Sequence, residues 1–140
     1  MTTPPLTNVP IRSAEELTAR WVDMLQPPVF SDHSLLLTWL DHDGLPLPVV
    51  LPVDGVAPIP DPGMLAGLRQ LHLGIAQERL SSGGHLAMAL CRPGRPKVTK
   101  YDEAWIDGLR EALDELPAGQ SWSLHLAAGG SVLPLVALPS

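Results

Sequence analysis

With a single cysteine in 140 residues, Cys91, the chain cannot form an internal disulfide, which fits a reducing compartment. Residues 1–10 lack a basic segment followed by an apolar one, and no apolar run approaches the roughly 20 residues needed to cross a bilayer. These absences predict a soluble, cytoplasmic protein without membrane contact. Positive charge is also scarce: nine Lys and Arg stand against fifteen Asp and Glu, a formal net charge of −6. That balance argues against a surface built to coat nucleic acid, although a local basic patch can still receive an anion. The five histidines, His33, His42, His72, His85 and His125, show no H-x-H, H-E-x-x-H or deaminase-type cysteine-pair spacing. A glycine-rich phosphate loop, a serine nucleophile elbow and a paired-carboxylate signature are missing as well.

What is present reads as one globular α/β domain. Apolar residues make up 45% of the chain and charged residues 17%, enough apolar material for a core, and 16 prolines and 12 glycines imply short, stiff connections. Residues 1–12, rich in Thr and Pro, read as a flexible arm ahead of a domain over 13–140. Ser13-Ala14-Glu15-Glu16 has the form of a capping box, and Leu17, Trp21 and Leu25 repeat at helical spacing up to Pro27-Pro28. Apolar runs over 34–40 and 47–53 flank Asp41-His42-Asp43-Gly44 and read as a hairpin, whose second strand is pushed to an edge by Pro46, Pro48 and Pro52.

Asp61-Pro62 next opens a helix with a stripe of Leu65, Leu68, Leu71, His72, Ile75 and Leu80. A strand over 85–91 leads into a basic loop, and a helix over about 100–116 presents Trp105, Leu109, Leu113 and Leu116 on one face. Strands over 122–127 and 132–137 flank Gly129-Gly130. The expected order is α-β-β-α-β-α-β-β, a mixed sheet covered by helices.

Several pieces carry a family resemblance: Leu40-Asp41 before a glycine turn, the strand into Arg92-Pro93-Gly94, Thr99-x-x-Asp102 opening a helix, and the last strand pair around Leu124-His125-Leu126 and Gly129-Gly130. Over residues 34–136 the chain resembles the JAB/MPN family, particularly its bacterial RadC-like branch. Active members carry an upstream Glu, two His one residue apart and an Asp that closes a Ser-x-x-Asp motif; the His and Asp hold zinc. Here Thr99 and Asp102 stand at the Ser and Asp, the paired His fall around Ala89 and Cys91, and the nearest upstream carboxylate is Asp32. The resemblance thus implies an ancestral pocket at Cys91, Thr99, Asp102 and His125 without a zinc set, hence no metal and no cofactor. It also implies partner binding, since inactive members commonly assemble with other subunits.

The residues themselves leave alternatives. Thr99-x-x-Asp102 is also a helix-start pattern, in which Thr99 caps and the carboxylate sits near the positive end of the dipole. Cys91 becomes a nucleophile only in an electropositive setting, and buried cysteine is the commoner case. His72 and His125 fall in an apolar stripe and a strand, whereas His85 and His125 flank the presumed pocket. The strongest positive feature is the basic loop: Arg92, Arg95, Lys97 and Lys100 place four of the nine Lys and Arg within nine positions, beside a helix start. The expected function is a non-catalytic protein-interaction or scaffold module, with a protein partner or second copy. The alternatives are binding of an anion or nucleic-acid end at 92–100, or residual metal-dependent hydrolysis. The apolar, proline-rich stretch 45–60 is a further candidate contact surface.

Overall fold

Ser13 begins the ordered helical structure: its side chain accepts the Glu16 amide at 3.1 Å and caps α1 (Ala14–Met24), whose first turn places Glu15 and Glu16 at the positive end of the dipole. In this computed structural model residues 10–80, 83–117 and 119–138 are described. The arm expected over 1–12 lies outside them up to residue 9. From Ile11 on the expectation fails, because Ile11 is buried and its amide donates to the Gly44 carbonyl at 2.8 Å. Gly44 has φ +83°, and a Cβ there would collide with the Ile11 carbonyl, so glycine is required by both conformation and contact.

Helix α1 is followed by β1 (Ser34–Asp41), β2 (Pro46–Asp54), α2 (Pro62–Arg79), β3 (Gly84–Cys91), α3 (Lys100–Ala112), β4 (Gln120–Ala128) and β5 (Ser131–Val136). The expected mixed sheet covered by helices and the element order are both observed, and the class is α+β. The five strands form one sheet in the order β2-β1-β3-β4-β5; β3 and β4 run parallel across α3, and the other neighbours are antiparallel. As its prolines require, β2 is an edge strand, and the β1–β2 register shifts between Thr38 and Leu40. Helix α3 stops earlier than the expected residue 116. Pro117 disfavours helix at the preceding residue, and Glu115 takes a left-handed φ of 55° that unwinds the last turn.

Strand alternation sorts the core into two layers. Leu35, Leu37 and Trp39 of β1, Leu86, Met88 and Leu90 of β3 and Leu124 of β4 pack under α2 and α3 against Leu68, Trp105 and Leu109. On the other face Leu40, Ala87, Ala89, Cys91 and Ala127 meet Ile11, Leu17 and Trp21. Small residues on this second face leave room for the Trp21 indole. Every residue of β3 is buried, as a central strand covered on both faces must be. No helix among the described residues is long and apolar enough to cross a membrane.

Candidate functional site

Strand β3 delivers Cys91 and Arg92 to the carboxyl end of the parallel pair, where open α/β sheets place their sites, and α3 begins there. Successive residues point to opposite faces, so the two side chains part company. Cys91 joins the apolar layer beneath α1, while Arg92 turns to α3. The guanidinium grips Asp102 at both oxygens: Nε donates to Oδ1 at 2.9 Å and Nη2 to Oδ2 at 2.8 Å. It also donates from Nη1 to the Pro93 carbonyl and from Nη2 to the Lys97 carbonyl, each at 2.9 Å. The side chains are only 8% and 1% exposed, so this is a buried, bidentate ion pair.

Asp102 has a second task. Its Oδ2 accepts the Thr99 amide at 2.8 Å while the Asp102 amide donates to Thr99 Oγ1 at 3.3 Å, completing a capping box at the start of α3. Burial pushes the carboxyl pKa up, but the Arg92 hydrogen bonds and charge and the Thr99 contacts outweigh it and hold the group below its usual range. The capping role read from the sequence is present, and it is fused to an ion pair that the spacing did not reveal.

These contacts change the standing of the expected site residues. Arg92 is not part of an exposed recognition set: it is buried, and its charge is spent on Asp102 and on two carbonyls of its own loop. Arg95, Lys97 and Lys100 are exposed. The presumed pocket does not converge either. Cys91 lies under α1, Asp102 binds Arg92 and the Thr99 amide, and His125 bonds to α1.

A zinc ion does not fit this end of the sheet. Ala89 offers no donor, burial pushes the Cys91 thiol up to about 11, and both Asp102 oxygens are engaged by a fixed cation. The same burial removes Cys91 as a nucleophile at neutral pH.

The histidines read as structural. On β4 the alternation Ser121, Ser123, His125 places three polar residues on the α1 face, a period-2 signal visible in the sequence. His85 is held between Ser121 Oγ and Ser123 Oγ, both at 2.7 Å, and burial lowers its pKa to about 3, too weak a base to activate either hydroxyl at neutral pH. His125 Nε2 lies 2.8 Å from Thr18 Oγ1, which donates to the Ala14 carbonyl, so the ring nitrogen acts as donor. Among the described residues its buried Nδ1 has no hydrogen-bond partner, nor has the buried Trp21 Nε1, and burial lowers the His125 pKa to about 4. His72 accepts from Trp39 Nε1 at 3.1 Å and pairs with Gln120 Oε1 at 2.9 Å.

At the opposite end of the sheet an open cleft of about 640 Å³ is lined by Arg12, Asp41, Asp43, His85 and Ser121 among others. Asp41, His42 and Asp43 bring three ligand-type atoms within 4.8 Å of one another there. Asp41 Oδ1 accepts the Asp43 and Leu45 amides at 2.8 and 3.0 Å, so this cluster is the chemistry of a turn. Only part of the 45–60 stretch is available as a contact surface: Leu47, Val49, Leu51 and Val53 pack inward, while Pro48, Val50, Pro52 and Ile59 are exposed.

Comparisons with family models, curated proteins and solved structures found no match to the chain.

Proposed function

We propose that the protein is a non-catalytic interaction module on a degenerate JAB/MPN-like, RadC-like scaffold, binding a protein partner. The observation that carries this reading is the Arg92–Asp102 pair. At the end of the parallel strands, where a catalytic centre would need free donors and an opening, the chain has a buried, internally satisfied ion pair. Among the described residues the other titratable groups in the core are three histidines of lowered basicity, His85 and His125 down to about 3 and about 4, and a thiol raised to about 11. On an otherwise acidic surface the chain also offers exposed apolar side chains and a local group of basic ones.

The test combines turnover with assembly. Purified protein supplied with zinc should cleave neither peptide nor isopeptide substrates, and the chain recovered from native lysate should elute in a stoichiometric complex of defined mass. Zinc-dependent cleavage that Asp102→Ala abolishes, or a free monomer at native concentration, would contradict the reading.

A further inference from the structure

The loop between β3 and α3, together with the first turn of α3, carries three exposed cations with two large apolar side chains among them. Arg95, Lys97 and Lys100 are exposed, Val98 is 42% exposed and Tyr101 43%. We propose that this surface docks an extended acidic segment of a partner protein that carries an apolar side chain. The proposal names the partner class for the interaction reading above and rests on it.

The first support is rigidity. Arg92 braces the loop from inside through the Pro93 and Lys97 carbonyls, and its backbone amide bonds to the Ala127 carbonyl at 3.1 Å. From the side, Gly129 packs so closely that a Cβ on it would lie 2.7 Å from Pro96 Cδ and 2.8 Å from the Gly94 carbonyl oxygen. A surface held in shape before binding loses less entropy when a partner arrives.

The second is composition. Among the described residues no ion pair engages Arg95, Lys97 or Lys100, and the Lys100 ammonium stands 5.3 Å from the Tyr101 ring centroid. Cations interleaved with a tyrosine and a valine match carboxylates flanking an apolar anchor, a pairing that sets encounter rate by charge and residence by apolar burial.

The third decides between anions. The amide end of α3 would favour a phosphate, but Asp102 already occupies it as the capping carboxylate. Attraction is left to the side-chain cations. A polyphosphate running past the loop would meet a body that is acidic overall, with a net charge of −6 for the chain.

The experiment is an anisotropy titration of the full chain with three probes: a short fluorescein-labelled peptide of alternating Glu and Ser around a Leu-Leu pair, its Gln-for-Glu counterpart, and an oligothymidylate of matched length. The Glu peptide should bind and weaken with salt, and the Gln peptide should not bind. Arg95→Gln/Lys97→Gln/Lys100→Gln should weaken the Glu peptide roughly tenfold, about 1.4 kcal/mol. Val98→Ser/Tyr101→Ser should weaken it several-fold with an unchanged salt dependence, and both variants should melt like the parent. Equal binding of Glu and Gln peptides, no binding of either, or undiminished binding by the triple variant would overturn the docking site; tighter binding of the oligothymidylate would overturn it in favour of nucleic acid. None of these results alters the turnover and assembly measurements, so failure of the surface and failure of the interaction reading are read separately.

Discussion

Replacing Asp102 by Asn isolates what the buried pair contributes. From the sequence alone the change should be mild, because Asn caps helices nearly as well as Asp. The structure predicts otherwise. Asn removes the charge facing a guanidinium that is 8% exposed, and its amide group must set a donor against either the Thr99 N–H or an Arg92 N–H. Breaking a buried pair from one side typically costs 3–5 kcal/mol, and the Asn oxygen keeps one acceptor, so a loss of about 3 kcal/mol is expected. That is a large share of a total stability of roughly 5–15 kcal/mol.

Urea titration at pH 7, followed by tryptophan fluorescence, measures this loss directly. Arg92→Met/Asp102→Leu should recover part of the loss, since replacing both charges leaves no buried charge unpaired, while the Thr99 amide and the Pro93 and Lys97 carbonyls still lose their partners. The acid side supplies a sign check. A carboxyl whose folded pKa is lowered stabilises the protein above its unfolded pKa near 3.8 and loses that contribution as pH falls through the lower folded value. The gap between parent and Asp102→Asn should therefore close only below about pH 4. A loss under about 1 kcal/mol at pH 7 would refute the reasoning, because it would mean that the pair is solvated or relaxes freely.

Three further outcomes follow from the same contacts. His85 and His125 have folded pKa values lowered to about 3 and about 4 from 6.5, so the unfolded chain takes up their protons first as pH falls below 6.5. Each should cost about 1.4 kcal/mol per pH unit down to its folded value, or about 2 kcal/mol apiece at pH 5, and His125→Asn should flatten the melting-temperature profile between pH 6.5 and 5. Cys91 should react with a thiol reagent no faster than the protein unfolds, because its sulfur is buried and protonated; rapid labelling of native protein would contradict this. Gly129→Ala should cost about 1–3 kcal/mol by urea titration and weaken acidic-peptide binding, since the new Cβ meets Pro96 and Gly94 at a backbone φ of +55°. Unchanged stability and binding would show that the loop yields.

The element order was legible because each element has a local signature. Ser13, Asp61 and Thr99 announce three helix starts, Gly44 and the Gly129-Gly130 pair announce hairpin turns, and the prolines of β2 announce an edge. The site was less legible because its decisive contact is not a matter of spacing. Arg92 and Asp102 are ten residues apart, and only the turn of a loop brings the guanidinium back to the helix start. A run of cations read along the chain gave no sign that the first of them points inward. Strand parity supplied that information once Cys91 was placed on the α1 face, since Arg92 then had to lie on the other. The pairing of His85 with two serines required knowing that β3 and β4 are adjacent and parallel, a non-local fact that no window of sequence contains.

A buried ion pair stands where the proposed JAB/MPN-like scaffold would need a metal site. Zinc analysis of protein purified without affinity metals, combined with thermal melts before and after chelation, tests it most directly. Far less than one zinc per chain and a melting temperature that the chelator leaves unchanged are expected, because the protein has no free ligand set at Ala89, Cys91 and Asp102. One zinc per chain, with a large loss of stability on its removal, would contradict it.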